Sequence, residues 1–195
     1  SAFHVGEHLS FAQLCAVVEE ALRVLKPGGL LILETPNPEN LLVGAHNFYL
    51  DPTHQRPIPS GLLAFVAEYA GFARVKVLFL QEEAALRQGR EPGLYDVLAG
   101  VSRDYAVLAQ KKGGAEVMGA LDAAWAREGG VRLQELARRY DARLEEGEGR
   151  ARALAEQLVR LRASRSWRWT APLRRVMAGW AWLRRAMGDP RRRKG

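Results

Sequence analysis

Apolar positions in the first part of the chain alternate between helical and extended spacing. Between Ser10, the expected N-cap, and Lys26 they recur every three or four residues and predict a helix over 10–26. The segment Lys26–Gly29 ends this helix, because proline disfavours helix in the residue before it and glycine permits a sharp reversal. The run at 30–35 is apolar without alternation, which predicts a strand buried on both faces of a parallel sheet.

The next eighty residues contain three further elements separated by long connections. The pattern predicts a polar and aromatic loop over 37–58 and a second helix over 60–70. It predicts strands at Phe72–Leu80, which is rich in β-branched residues, and at Asp104–Gln110, with an irregular stretch over 82–102 between them.

The hydrophobic period changes after Lys112. Residues 115–128 predict a helix, and a seam of apolar positions with alternating spacings of four and three then spans four heptads. The seam consists of Leu133, Ala137, Tyr140, Leu144, Gly147, Ala151, Leu154, Leu158 and Leu161. It predicts a coiled coil or a helical hairpin, and the alternative is one amphipathic helix packed on its own domain.

Tryptophan and arginine dominate residues 164–188. Pro172 can begin a helix there whose apolar face carries tryptophan, leucine and methionine, while arginine and alanine occupy the other face. Tryptophan favours the lipid headgroup region and arginine pairs with phosphate, so this pattern favours an anionic membrane surface as partner. The alternatives are packing on protein and binding of nucleic acid through phosphate contacts and base stacking.

Composition limits the class of protein. The 195 residues are 48% hydrophobic and 26% charged, which excludes a wholly disordered chain and allows one domain plus an extension. The longest apolar runs, such as Gly28–Leu33, are far below the ~20 residues of a membrane span, and no signal peptide follows Ser1. Cys15 is the only cysteine, so an intramolecular disulfide is impossible and a reducing compartment is expected.

The net charge of +7 is unevenly distributed. Residues 160–195 hold eleven arginines and one lysine against Asp189, a net +11, whereas residues 1–159 hold 17 basic and 21 acidic side chains, a net −4. All four histidines lie in the first 54 residues. We therefore predict chemistry in the front of the chain and adhesion at the back.

One short motif suggests a metal. The segment His4–His8 matches H-x-x-E-H, a zinc-protease signature that requires both histidines on one helix. Here Gly6 lies inside the motif and the helix begins only near Ser10, so the spacing falls on a strand end and a turn. His4 and His8 need not share a face, and we predict no metal site.

The order of elements resembles the C-terminal half of class I S-adenosylmethionine-dependent methyltransferases. The residues that carry the resemblance are a strand end at Ala2–His4, a helix, the turn Leu25–Gly29 and the buried strand L-L-I-L-E-T, and it covers residues 1–112. It implies that Phe72–Leu80 and Asp104–Gln110 are the last two strands and form an edge hairpin. The implied fold class is α/β, a partial Rossmann-like methyltransferase sheet of strands four to seven, followed by an α-helical coiled-coil and amphipathic helix extension.

A narrower resemblance concerns the segments Glu34–Asn40 and Asn47–His54. Both are similar to methyltransferases of bacterial surface-polysaccharide assembly, including O-antigen chain-terminating enzymes. Those proteins commonly continue into a coiled coil and membrane-binding helices. The resemblance implies a methyltransferase part at 1–112, a helical segment at 113–163 that can self-associate, and a tail at 164–195 that holds the protein at the cytoplasmic face of the inner membrane.

The function implied is S-adenosylmethionine-dependent methyl transfer to a polysaccharide or a lipid-linked glycan. Such a reaction is an in-line displacement, so the protein positions the acceptor and removes its proton. A histidine can be that base near neutral pH. We expect His8 and His54 to be catalytic, Phe3, His4 and Val5 to border the cofactor, and Asn37, His46, Tyr49 and Asp51 to bind substrate. The alternatives are a non-catalytic membrane-associated scaffold of a glycan-assembly complex and a nucleic-acid methyltransferase with a basic arm, with nucleic acid the less favoured partner.

The cofactor motif of the family is missing from these residues. Family members carry a glycine-rich loop after the first strand and an acidic residue at the end of the second. No G-x-G-x-x-G is present, and Gly28–Gly29 precedes a strand. We therefore expect strands one to three to lie on a longer protein or on another chain, the fourth strand to be a bare edge, and this chain alone to bind S-adenosylmethionine weakly or not at all.

Overall fold

Four strands form one open sheet in the structure, a computed structural model that describes residues 1–172 and 176–177. The strands are β1 Ala2–Phe3, β2 Leu30–Pro36, β3 Arg74–Leu80 and β4 Asp104–Gln110. Their order is β1-β2-β4-β3, with β1 parallel to β2 and β4 antiparallel to both of its neighbours. Strands β1, β2 and β3 therefore run in the same direction, and their carboxyl ends meet at one edge of the sheet.

Nine α-helices lie in the described part of the chain. They are α1 Phe11–Val24, α2 Leu41–Ala45, α3 Ser60–Ala70, α4 Ala84–Arg87, α5 Leu94–Ala99, α6 Ala115–Gly119, α7 Asp122–Trp125, α8 Leu133–Ala163 and α9 Arg165–Trp169. Short 3-10 helices form at Gly6–His8 and Asn47–Leu50. Ser10 is the N-cap of α1, as the sequence predicts, and it forms a capping box with Gln13, which the sequence analysis did not predict. Gly71 ends α3 in the left-handed conformation.

The main core lies between the sheet and the pair α1 and α3. It contains Leu14 and Val18 of α1, Leu31 and Leu33 of β2, Leu63, Val66 and Ala67 of α3, and Phe79, Tyr105, Val107 and Ala109 of the hairpin. Only alternate residues of β2 are buried, so the prediction of burial on both faces is wrong for this strand. The strand β4 is the one buried at nearly all positions, with Leu108 its one partly exposed residue.

The predicted edge hairpin of the last two strands is present. β3 and β4 pair antiparallel from Arg74–Gln110 to Leu80–Asp104, with β4 beside β2 and β3 at the edge of the sheet. β1 forms the opposite edge, and its Phe3 side chain is exposed. Within the described residues no strand pairs with the outer side of β1.

Contacts divide the chain into two units, Ser1–Arg143 and a second that begins at Leu144. In the first unit, Leu136 at the start of α8 packs in a smaller core with Leu86, Val101 and Val131. Residues 115–128 form the two short helices α6 and α7 instead of one.

The heptad seam lies on one continuous helix, so no hairpin forms within 133–163. In the second unit its leucines at 144, 154, 158 and 161 are exposed. The coiled coil therefore stays a prediction. Most of the predicted amphipathic face after Pro172 lies outside the described residues. Among the helices that are described, none combines the length and the apolar character needed to cross a lipid bilayer.

Tyr105 ties the hairpin to the long loop. Its fully buried hydroxyl donates to the carbonyl of Ile58 at 2.8 Å, and burial raises the pKa of Tyr105 well above its usual value, so the hydroxyl keeps its proton.

We predict that Tyr105→Phe lowers the free energy of unfolding by about 1–3 kcal/mol, because the buried Ile58 carbonyl loses its donor. Urea unfolding measures this difference, and the exposed Tyr69→Phe is the matched control. An equal effect of the two substitutions would contradict the argument.

Candidate functional site

Polar side chains gather at the edge of the sheet where the three parallel strands end. His4 follows β1, Gln81 follows β3, and Asp104 begins the antiparallel β4 at the same edge. His4 and Gln81 have φ angles of 51° and 62°, in the left-handed region that costs a non-glycine residue about 1 kcal/mol or more. Ligands of open α/β sheets bind at this edge, and backbone strain concentrates at functional sites.

His4 faces three carboxylates. Its Nδ1 lies 3.1 Å from Oε1 of Glu7, and its Nε2 lies 3.7 Å from Oε1 of Glu34 and 4.0 Å from Oδ1 of Asp104. Its backbone N–H donates to the Glu34 carbonyl at 2.9 Å, which extends the pairing of β1 with β2. Burial raises the pKa of Asp104, against the opposing effect of His4, so this carboxyl binds a proton more readily than usual.

Glu7 is the most buried acidic residue of the cluster, with no exposed surface. Its Oε2 accepts a hydrogen bond from Thr35 Oγ1 at 3.0 Å, while Oε1 is the oxygen that contacts His4. Its carbonyl accepts from the backbone N–H of Gln55 at 2.8 Å, and the Gln55 side chain donates to the carbonyl of His8. Glu7 therefore joins the end of β1, strand β2 and the loop before α3.

His8 and His54 stand against each other, with ring centroids 4.7 Å apart and ring planes at 61°. The Nδ1 of His54 lies 2.6 Å from the carbonyl oxygen of Phe48, which only accepts, so this nitrogen carries a proton. Thr53 Oγ1 donates its single proton to Asp51 Oδ1 at 2.6 Å. Nδ1 of His8, 2.8 Å from that same Oγ1, must then be the donor. Each neutral ring has its basic lone pair on Nε2.

The hydrogen bonds that run from His8 through Thr53 end at the carboxylate of Asp51. Its carboxylate accepts from both the hydroxyl and the backbone N–H of Thr53, and these two hydrogen bonds lower its pKa. The carboxylate stays ionised near neutral pH and fixes the proton on His8 through Thr53.

The structure brings only part of the predicted site together. His8, His54 and Asp51 form one group beside Glu7, and the predicted cofactor residues Phe3, His4 and Val5 are consecutive and exposed at the end of β1. Among the described residues, the predicted substrate residues Asn37, His46 and Tyr49 form no hydrogen bond, ion pair or ring contact with the side chains of His8, His54 or Asp51. Asn37 is fully buried, with its amide donating to the Ser102 carbonyl and accepting from the Glu39 N–H. His46 bonds its neighbour Asn47, and the exposed Tyr49 ring packs on Phe48.

Sequence reasoning missed Glu34, Asp104, Thr35 and Thr53 as members of the site. It noted Glu7 in the rejected metal motif and next to His8 in the methyltransferase resemblance, but gave it no role in the site. A weak signal existed for two of them. Glu34 is the one charged residue of an apolar strand, and Asp104 begins the last strand. No spacing in the sequence pairs these two with His4, because the sheet register brings them together.

A polar cavity of about 550 Å³ opens at the end of β3. Its lining includes Asn40, Leu42, Val43, Asn47, Gln81, Glu82, Glu83, Tyr95, Asp96, Ala99, Gly100, Val101 and Arg103. Glu83 and Asp96 are both paired with Arg90, and Glu82 with Arg87. Asn47 connects the cavity to the loop that carries His54.

Two groups of three side chains each bring one ligand atom per residue to within 4.8 Å of one another. They are Glu7, His8 and His54, and His4, Glu34 and Asp104. Both lie at the carboxyl edge of the sheet. The H-x-x-E-H segment thus divides between two groups, since His4 turns to one and His8 to the other.

This chain is similar to the crystal structure of a SAM-dependent methyltransferase from Archaeoglobus fulgidus, with 28% sequence identity and a TM-score of 0.48. The match covers 56% of this chain and 57% of that protein, so the chain spans little more than half of its length. No family model and no curated protein matches the chain.

The bond from Thr35 to the buried Glu7 carboxylate contributes to stability. We predict that Thr35→Val, which is nearly isosteric, lowers the free energy of unfolding by about 1.5–3 kcal/mol, because a hydrogen bond to a buried charge is lost. The measurement is urea unfolding as a double-mutant cycle with Glu7→Gln. The valine substitution should cost clearly less in the Glu7→Gln background. Equal costs in both backgrounds would show that the charged bond is not the cause.

Proposed function

We propose that this chain carries part of an enzyme that transfers the methyl group of S-adenosylmethionine to a hydroxyl of a polysaccharide or lipid-linked glycan. The observation that carries the proposal is the oriented histidine pair beside the carboxyl ends of three parallel strands, where α/β folds bind ligands. The resemblance of the turn Leu25–Gly29 and of the strand after it to class I methyltransferases supports the same reaction.

The histidine pair supplies the base that a hydroxyl acceptor needs. In this step Nε2 of His8 or His54 takes the hydroxyl proton while the oxygen bonds to the methyl carbon. The bond from sulfur to that carbon breaks, its electron pair stays on sulfur, and S-adenosylhomocysteine leaves. Hydrogen bonds at both Nδ1 atoms keep the rings in the tautomer that can accept this proton.

The charge of residues 1–159 favours a glycan over a nucleic acid. These residues carry a net charge of −4, which disfavours a polyanion. In the cavity Glu82, Glu83 and Asp96 are each paired with an arginine, and the lining also includes amides, Tyr95 and Arg103. Amide and aromatic side chains suit the hydroxyls and apolar faces of a sugar.

The exposed edge at β1 is the proposed place for the rest of the cofactor site. Phe3 and Val5 expose apolar surface next to the strained His4. A glycine-rich loop supplied from outside these 195 residues would approach S-adenosylmethionine from this side. The chain alone then has only part of the cofactor contacts.

The proposal is tested in cells that express the gene from its own locus, supplied with methyl-labelled methionine, from which the labelled cofactor is made. We predict that one of the two substitutions His8→Asn and His54→Asn, the one that removes the base, lowers label in the glycan fraction about 10²-fold or more, since general-base catalysis contributes about that factor. Glu68→Gln, on an exposed residue of α3, should leave incorporation unchanged. Full incorporation in both histidine variants would favour the scaffold alternative, and label in nucleic acid would contradict the glycan substrate.

We also propose that the exposed seam of α8 pairs with a second copy of the chain. We further propose that residues 164–195 hold the protein at the cytoplasmic face of the inner membrane. The eleven arginines and one lysine from 160 onwards provide attraction to anionic lipid. The prediction is that the full chain sediments with vesicles containing anionic lipid and that deletion of 164–195 releases it into the supernatant. Equal sedimentation of both forms, or binding to neutral vesicles alone, would contradict this.

A further inference from the structure

The triad of Glu7, His8 and His54 has the composition of a metal site. One ring nitrogen of each histidine and one carboxylate oxygen of Glu7 lie within 4.8 Å of one another. Around a Zn²⁺ ion with bonds of 2.0–2.2 Å, ligand atoms stand roughly 3–4 Å apart. Small side-chain rotations therefore bring the three atoms to coordination distance. Two histidines and one carboxylate leave further coordination positions open for water or substrate.

The second shell of this triad is already built. A histidine ligand usually donates its other ring N–H to a carbonyl or a carboxylate, which fixes the ring and its tautomer. His54 does so to the Phe48 carbonyl at 2.6 Å, and His8 does so through Thr53 to Asp51. Nε2 is therefore the ring nitrogen that each histidine can offer to a metal, and Nε2 of His54 lies 3.9 Å from Oδ2 of Asp51.

The third ligand has a buried charge that lacks a full counter-charge. Glu7 is completely buried, and among the described residues no lysine or arginine lies within 4.0 Å of its carboxylate. Its one ionic neighbour is His4, which carries a charge only when protonated and is half exposed. A buried carboxylate is stable when it is paired or coordinates a cation. A divalent cation on the side of His8 and His54 supplies that charge.

We propose that Glu7, His8 and His54 bind one divalent first-row transition-metal ion, with Zn²⁺, Co²⁺ and Mn²⁺ as the ions to test. The second group, His4 with Glu34 and Asp104, also has support, since His4 Nδ1 contacts the Glu7 carboxylate, but it offers one imidazole instead of two and that imidazole is half exposed. Glu7 lies next to both groups: its Oε1 contacts His4, and one of its oxygens lies within 4.8 Å of a ring nitrogen of His8 and of His54.

The consequence for chemistry rests on the proposed function. A metal ion at this site would bind the acceptor hydroxyl and lower the pKa of that hydroxyl, so that its proton leaves to water instead of to an imidazole. His8 and His54 then act as ligands and not as bases. The two roles differ in one measurable respect, because only the ligand role makes methyl transfer sensitive to removal of metal.

Metal binding is measured directly on the purified 195-residue chain after treatment with a chelator and gel filtration. Titration with Co²⁺, followed by visible absorption, and with Zn²⁺, followed by calorimetry, should show one ion per chain. His8→Asn and His54→Asn should each weaken binding by about 100-fold or more, beyond the 10–100-fold typical of second-shell changes. His46→Asn, an exposed histidine on the same loop, should leave the affinity unchanged, and so should Glu34→Gln.

Circular dichroism and urea unfolding of each variant distinguish loss of a metal ligand from loss of the fold. Thr53→Val removes the hydroxyl that supports His8 and keeps both histidines, so it should weaken metal binding to a smaller extent. Absence of stoichiometric binding, or binding that survives both His8→Asn and His54→Asn, overturns the proposal. Stoichiometric binding, together with full incorporation of label in cells that carry His8→Asn and His54→Asn, would refute the proposed function and leave the metal site intact. Loss of incorporation in those cells, together with absence of metal binding by the purified chain, would refute the metal site and leave the proposed function intact.

Discussion

The arrangement of the candidate site depends on one carboxylate that has lost all contact with solvent, that of Glu7. Its two oxygens are held by His4 at the end of β1 and by Thr35 in β2, and its carbonyl holds Gln55 in the loop before α3. A charge in this position is unfavourable unless every oxygen has a partner. The burial of Glu7 therefore forces the strand ends and the loop into one mutual position, and His8, its neighbour in the chain, is carried against His54.

The direction of the strands also determines which residues meet at the candidate site. Because β1, β2 and β3 are parallel, the residues that follow them gather at one edge, and the antiparallel β4 starts there with Asp104. Two residues at this edge, His4 and Gln81, are held in left-handed backbone conformations. A residue keeps this conformation only where the surrounding contacts contribute more free energy than the conformation costs. At His4 the bond from its N–H to the Glu34 carbonyl and the contact with Glu7 provide them.

Local signals predicted the regular elements well where they were strong. The capping residue Ser10, the turn before Gly29 and the apolar run at 30–35 place α1 and β2 to within two residues, and the strand Asp104–Gln110 has the predicted bounds. Burial was predicted less well, since β4 and not β2 has both faces covered. That outcome depends on which segments pack over each face of the sheet, and the pattern within one strand does not specify them. The heptad seam predicted one long helix. Whether another helix pairs with that seam depends also on the surface of the partner, which the heptads of one helix do not specify.

The sequence by itself determined the order of helices and strands, the division of charge between body and tail, and the presence of all four histidines in the first 54 residues. These follow from spacing and composition, which act over a few residues at a time. Only the tertiary structure decided which polar groups meet. It separated His4 from His8 within one five-residue motif, joined His8 to His54, and buried Asn37, because sheet register and the burial of Glu7 act between segments that are distant in the chain.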